Sequence, residues 1–560
     1  MSRPPRLVVV ATAAFGILTA FWSVLTPLTE APDEPAHLGL VLEVADTGHY
    51  PAYDGLQHTA GLFQLCVDYA TSANWCRTDA ERATGLVERE RPADEAPAKH
   101  GRVRWDDREF RRLKPGRMNQ MPQHPPLYYV AMAGALRVER AVVPGSLSVD
   151  TELAFLRLLN VLIVLPLPWL AWLAARRLRL GAEVAVVAAL VPLAVPQLTH
   201  IGGTLNNDNL FVVLASALMS LLAGVVQGDR SRRTLLLVGV VTGLALLTKG
   251  FGVVLPPVVL LAYLVGSRTP RPPRTPRTPF GPAGPRWWRD WQAVVPAVGA
   301  LAVGFVVSGW WYLGNLAATG RIMPSIEDQR LSARNRPQGF HPRLGEYAAS
   351  AASRLVEGFW GAFGWRRVEL PTVVSVTATV LCVGAAAVAF VRPPVARPKL
   401  AVLLAPVALL VTFVLVRSAV IYRDSGRLAF QQGRYLFAGL TAAAAVVAVG
   451  AVHLLGARAV RATVAGVLVL QGLAVAWCLN GWWGADGVPV GSLRAVVAWS
   501  GWPDPVVVAL LVMAPLALTA LVHAAWRHIG DAVVPAPMDQ PTVTDGSALL
   551  GQPVSAAPGP

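Results

Sequence analysis

The sequence predicts an all-α polytopic membrane protein of about twelve transmembrane helices, with a long first loop that carries interfacial helices. Three observations predict it. The 560 residues are 54% hydrophobic and only 15% charged, well below the roughly 25% charge of ordinary soluble domains, and the mean hydropathy is +0.46. Apolar windows of about twenty residues recur along the chain, each long enough to cross about 30 Å of hydrocarbon. Arg and Lys gather in short segments between those windows, as the positive-inside rule requires of inner loops. That distribution accounts for the formal charge of +15, so no nucleic-acid partner is expected.

Taken in order, Ser2 to Arg6 is basic and belongs inside, and Leu7 to Leu25 forms a retained first span. A loop over 29–151 follows outside; loops of this length escape the positive-inside count. Within it Pro125 to Leu136 is apolar but short, which suits an interfacial helix. Leu153 to Ala175 returns to Arg176, Arg177 and Arg179. Val184 to Thr199 leads out to Gly202–Asn209, and Leu210 to Val226 comes back to Arg230, Arg232 and Arg233. Leu235 to Leu247 reaches Thr248–Lys249–Gly250 outside, and Val253 to Val265 returns. Residues 267–289 repeat Arg-Thr-Pro and read as a cytoplasmic linker. Trp291 to Tyr312 opens a second outer loop over 314–370, and Thr372 to Val391 returns to Arg392. Leu400 to Val416 leads to Arg417–Arg434, and Tyr435 to Leu455 comes back to Arg458. Val464 to Leu479 and Val506 to His523 complete a C-terminal region over 456–528. The tail over 529–560 is rich in Pro, Ala and Ser and reads as disordered. Both termini fall inside, at a plasma (inner) membrane. Only the Arg417–Arg434 segment carries its cations on the disfavoured side.

Four cysteines do not make a disulfide scaffold. Cys382 and Cys478 sit in apolar spans, whereas Cys66 and Cys76 share the first outer loop, where an oxidising compartment would let them pair.

On this topology the outer face collects Asp33, Glu34, His37, His124, Tyr128, Tyr129, Asn206, Asn207, Asp208, Lys249, Arg427 and Arg434. Carboxylates and fixed cations together suit transfer of a group from a lipid phosphate to an acceptor hydroxyl. A carboxylate takes the hydroxyl proton, and Lys or Arg neutralises the phosphate that leaves. A bland reading stands beside each residue. Asp33 and Glu34 also suit the start of a helix at Pro35, with Glu34 at its cap. Leu38, Val41, Leu42 and Ala45 would then lay that helix on the membrane. His124 suits a surface histidine, a phosphate contact or a metal ligand, and a divalent metal is left open with no cofactor assigned. Tyr128 and Tyr129 suit interfacial aromatics, and Asn206-Asn207-Asp208 a polar helix cap. Lys249 and Arg434 are harder to explain structurally, since each abuts apolar sequence on the outer side.

Pro-Asp-Glu-Pro-Ala-His at 32–37 and His-Pro-Pro-Leu-Tyr-Tyr at 124–129 resemble the GT-C superfamily of polytopic membrane glycosyltransferases, which includes protein O-mannosyltransferases and aminoarabinose transferases of the ArnT type. Asn-Asn-Asp at 206–208, Phe-Gly-Trp at 363–365 and Gln-Gly-Arg-Tyr at 432–435 extend the likeness to a bacterial domain-of-unknown-function family. It covers about Leu7 to Leu455, so 1–455 would be the catalytic region. The resemblance implies a polyprenyl-phosphate sugar donor, an extracytoplasmic acceptor in the cell envelope, and inversion at the anomeric carbon. It implies Asp33 as base with Glu34 in support. Lys249, Arg434 and Arg427 would hold the donor phosphate, and His37, His124, Tyr128, Tyr129, Asn207 and Asp208 would line the substrate site. The competing expectations are a transporter or lipid flippase, and a non-catalytic assembly partner.

Overall fold

The computed structural model describes residues 4–71, 76–78, 81, 89–106, 108–143, 145, 147–268, 286–332, 336–484 and 489–533. Most of the Arg-Thr-Pro linker and the tail beyond 533 lie outside the described residues.

Helices dominate, because uninterrupted apolar runs in lipid must satisfy their backbone groups internally. Ten helices among the described residues are long and apolar enough to cross a membrane. They run from Arg6–Leu25 through Val149–Arg177, Asp208–Val225, Gly250–Ser267, Val294–Thr319, Thr372–Val391, Arg397–Ser425, Gly433–Leu455 and Arg458–Trp483 to Asp504–His528. An eleventh is a broken span, Ala182–Ala194 with Pro196–Gly202, bent by 67°. Pro196 begins the second piece, where its missing N–H and fixed φ break the ladder. The side-chain amide of Gln471 donates to the freed carbonyl of Leu193 at 2.9 Å and its oxygen accepts from Trp22 Nε1 at 3.1 Å.

The expected count of about twelve differs at Leu235–Leu247. The helix there, Arg232–Leu246, has 15 residues, about 22 Å of rise against the roughly 30 Å hydrocarbon core. It still reaches the same level as Asp208–Val225, because Lys249 beyond its end meets Asp208 at the start of that helix. It lies close against Arg286–Thr319. A Cβ at Gly239 would stand 2.5 Å from the Ala300 carbonyl, and one at Gly243 would stand 2.6 Å from Val307. Small residues set that approach, as they do between helices in lipid. The outer helices turn large apolar side chains outward, including Phe305, Val306, Val380 and Leu381. Apolar surface of that extent belongs in lipid, not water.

The first loop folds over one end of the bundle. It contains helix Glu34–Thr47, the antiparallel pair Gln57–Thr59 and Leu113–Met118, and helices Ala60–Tyr69 and Leu127–Val142. The Glu34–Thr47 helix was expected to lie on the membrane. Instead Leu38, Val41 and Leu42 are 0% exposed, packed in a core with Tyr128, Tyr129 and Leu136. Its apolar stripe is met by protein, so it needs no lipid. Cys66 and Cys76 are joined in a disulfide within this loop, and Trp365 packs against them from the short hairpin Ala362–Phe363/Val368–Glu369.

Candidate active site

The helix begins one residue earlier than a cap at Glu34 would place it. Glu34 is its first residue and Asp33 its N-cap, in the left-handed region at φ 64°, with no side-chain capping bond. Left-handed backbone costs most residues roughly 1–2 kcal/mol, and Asp is among the few that visit it. The sharp turn sends neighbouring side chains in opposite directions.

Glu34 points into the protein. Its two oxygens accept from Arg157 Nε (2.8 Å) and Nη2 (2.6 Å), and from the backbone N–H groups of Thr29 and Leu205 (both 3.0 Å). Arg157 also donates to the carbonyls of Ser23, Thr26 and Pro27. The pair is 0% and 1% exposed, which demands such full coordination. Glu34 therefore ties the end of the first span to the second span and the loop before Asp208. It does not line the cavity that Asp33 faces, so it stands behind Asp33 and not among the groups on the cavity wall.

Asp33 faces a cavity of about 670 Å³. Its carboxylate accepts from Arg434 Nη2 at 3.0 Å, and Gln120 Nε2 approaches at 3.4 Å. Arg434 sits at the start of its own span, anchored by a 2.6 Å bond from its Nε to Gln432. The same Nε lies 3.8 Å from Asp208 Oδ2, and Asp208 Oδ1 accepts from Lys249 Nζ. Lys249 lies over the rings of Phe251 (5.0 Å) and Tyr435 (5.2 Å), which favour a cation on their faces. Asp33, Arg434, Asp208 and Lys249 thus form one chain of alternating charge. Four separate segments, each put on one side by the topology, meet in it.

The cavity is also lined by His37, Gln123, His124, Asn206, Asn207, Trp365 and Arg417. His37 Nδ1 lies 2.9 Å from the Tyr129 hydroxyl, and its ring stacks on Tyr129. Burial, reinforced by His124, Lys249 and Arg434, holds the His37 imidazole well below its usual range. Burial and Lys249 push His124 down to about 3. Both rings are then neutral at physiological pH and face the cavity as hydrogen-bonding groups, not cations.

Several expected contacts fall elsewhere. Neither Tyr128 nor Tyr129 lines the cavity: Tyr128 donates to Asn160 at 2.9 Å inside the core, and Tyr129 backs His37. The helical phase of Leu127–Val142 turns both rings inward. Asp208 stands behind Lys249 and Arg434 and not on the wall. Arg427 is exposed and away from the cavity, beyond the left-handed Gly426 that ends its helix. Arg417, from the helix that Gly426 ends, lines the cavity together with Arg434; it is paired with Asp328 at 2.5 Å and lies 4.7 Å from the centre of the Phe430 ring.

Arg157 had a signal in the sequence, a charge within an apolar span, which is expensive unless paired. Trp365 ends the Phe-Gly-Trp motif and Arg417 opens the basic segment on the disfavoured side, whereas Gln123 had no signal beyond its loop. Among the described residues no group of three or more His, Cys, Asp or Glu side chains is placed to hold a metal ion.

The cavity adjoins a second one between spans. Asp328, Phe413 and Arg417 also line a second cavity of about 740 Å³. Its remaining wall is largely apolar, with Val253, Pro257, Leu409, Val416, Val420 and Ile421 from the Gly250–Ser267 and Arg397–Ser425 spans.

Residues 15–442 match the family described as "Predicted membrane protein (DUF2142)", and the chain belongs to that family. Its fold is similar to that of ArnT from Cupriavidus metallidurans bound to undecaprenyl phosphate, at 15% identity and a TM-score of 0.45 over 94% of this chain and 78% of that one. It is also similar to the apo oligosaccharyltransferase of Archaeoglobus fulgidus, at 11% identity and a TM-score of 0.40 over 88% of this chain and 56% of that one. No curated protein is significantly similar to the chain in sequence.

Proposed function

We propose that this protein is a membrane glycosyltransferase that moves a sugar from a polyprenyl-phosphate donor to a hydroxyl on an extracytoplasmic acceptor of the cell envelope. The observation that carries the reading is the juxtaposition of a charged, carboxylate-bearing cavity with an apolar groove between spans, joined through Asp328, Phe413 and Arg417. A lipid-linked phosphate sugar has that same division into a polar head and an apolar tail. The five motifs of the sequence agree with it.

In this reading Asp33 removes the proton from the acceptor hydroxyl as its oxygen attacks the anomeric carbon from the face opposite the phosphate. The carbon–oxygen bond to phosphate breaks, the configuration inverts, and polyprenyl phosphate leaves as an anion. Arg434 and Lys249 receive the developing charge, which low-dielectric surroundings make effective. Arg434 Nη1 is buried and has no partner, so one guanidinium donor is free for a phosphate oxygen. Glu34 acts at a distance by fixing the turn that aims Asp33. Residues 1–455 would hold the machinery, with the cavity outside and both termini in the cytoplasm.

The competing transporter reading draws on the broken span, a device transporters use to line a pathway with backbone. Here Gln471, itself 1% exposed, closes the break, and the charged groups gather at one end of the bundle.

The test is transfer of radiolabelled sugar from polyprenyl-phosphate sugars to envelope fractions by the full chain in nanodiscs. Transfer by the wild type and its loss in Asp33→Asn is the expected result. Undiminished transfer by Asp33→Asn would remove Asp33 as base, and absence of transfer from every donor class would overturn the reading.

A further inference from the structure

Resting on the glycosyltransferase reading, the polar groups left unpaired in the cavity bear on which sugar it takes. Buried polar atoms almost always have partners, and an orphan is costly. Asn207 is 1% exposed and lines the cavity, yet neither its amide nitrogen nor its oxygen has a partner. Its neighbours do not share this condition: the Asn206 side chain accepts from the Asp208 N–H at 2.9 Å, and Asp208 holds Lys249. Two more cavity residues carry buried unpaired atoms, Gln123 at Oε1 and Trp365 at Nε1.

The charged groups tell the opposite story. Asp33 is paired with Arg434, Asp328 with Arg417, and Lys249 with Asp208, and Glu327, which also lines the cavity, is engaged as well. Among the buried atoms of the described cavity-lining cations, Arg434 Nη1 lacks a partner, and the donor phosphate would occupy it. Beside the neutral imidazoles of His37 and His124, the cavity thus offers the rest of the ligand two amides and an indole N–H, groups that donate to and accept from hydroxyls without a charge.

We propose that Asn207, with Gln123 and Trp365, reads the hydroxyls of an uncharged sugar, so that the transferred unit is a neutral hexose or pentose and neither an amino sugar nor a uronic acid. A cationic sugar would meet no carboxylate among these three residues, since Asp33 is held by Arg434 and its open side is kept for the acceptor hydroxyl, and an anionic one would compete with phosphate for Arg434. Sites built around hydroxyl hydrogen bonds reject analogues that cannot supply them, because their own polar groups stay unpaired.

The experiment measures binding of four probes to the full chain in nanodiscs. They are bare polyprenyl phosphate and polyprenyl-phosphate sugars bearing only hydroxyls, an amino group or a carboxylate. The hydroxyl-only sugar is expected to bind at least about tenfold tighter than each of the other three, about 1.4 kcal/mol. Asn207→Ala is expected to erase most of that preference, Gln123→Ala a smaller part, and Asn207→Asp to move the preference toward the amino sugar. A charged sugar bound as tightly as the neutral one overturns the inference, as does a preference that survives Asn207→Ala. If Asn207→Ala does not fold in a thermal melt, an intact preference in Gln123→Ala overturns it instead. Binding of bare polyprenyl phosphate with no gain from any sugar overturns this inference alone. No binding of bare polyprenyl phosphate to the wild type overturns the glycosyltransferase reading and this inference with it.

Discussion

Asp33 and Glu34 are consecutive residues, each paired with an arginine from a distant segment, and the two pairs are built differently. Around Glu34 and Arg157 every oxygen and most donors are engaged, and exposure is 0% and 1%. Around Asp33 one arginine bond and a long approach by Gln120 leave the carboxylate 19% exposed and open to the cavity. A saturated buried pair can only hold its shape, since removing either partner strands a charge. An under-coordinated carboxylate beside a cavity retains lone pairs for an incoming proton. The contrast separates a fastening from a reactive group where residue type and spacing do not.

Four measurements would break or sharpen that contrast. The largest effect belongs to Asp33→Asn, expected to lower transfer by about 10²–10⁴-fold, the range of a general base, while the thermal midpoint stays near the wild type. Comparable losses of transfer and of stability would merge the two pairs into one structural unit. Next, Glu34→Ala is expected to destabilise the fold by about 3–5 kcal/mol, as for other broken buried pairs, read as loss of monodisperse protein on heating. A stable Glu34→Ala protein would show that the clasp is dispensable.

The third concerns acid. Because the imidazoles of His37 and His124 fall below their unfolded value of 6.5 when folded, the unfolded chain binds more protons at lower pH. Stability is then complete above pH 6.5 and lost as pH falls toward about 3, at up to about 1.4 kcal/mol per pH unit for each histidine. Melting curves for His124→Gln are expected to show a flatter acid limb than the wild type. An unchanged limb would exclude His124 as a source. The smallest effect is Asp33→Gly, expected to raise stability by up to about 1 kcal/mol through relief of the left-handed backbone while abolishing transfer. A destabilised Asp33→Gly protein would mean that the Arg434 contact outweighs the strain.

Much of this was legible in the chain. Apolar lengths and basic segments gave the order of the spans, and the side on which Lys249 and Arg434 fall singled them out before any contact was known. The short helix Arg232–Leu246 blurred the count because length, not composition, separates a span from a shorter helix. Helix phase relative to a packed loop was not legible. Tyr128 and Tyr129 could face either way, and the Leu38–Ala45 stripe suits lipid and protein equally. Nor was the choice between Arg427 and Arg417, which depends on where Gly426 turns the chain. Glu34 was ambiguous until its partner was known, although Arg157 stood in plain view inside an apolar run.

The left-handed backbone at Asp33 also bears on how this position can drift. Only Gly, Asn and Asp take that conformation readily, and of these only Asp carries a carboxylate. The exchange of Asp for Glu, ordinarily the mildest for an acid, carries a backbone penalty of roughly 1–2 kcal/mol here and also moves the carboxylate by one methylene. A lineage that loses this aspartate has only a disfavoured acidic substitute at the same position. Recovery would need either direct reversion or a carboxylate recruited from elsewhere on the cavity wall.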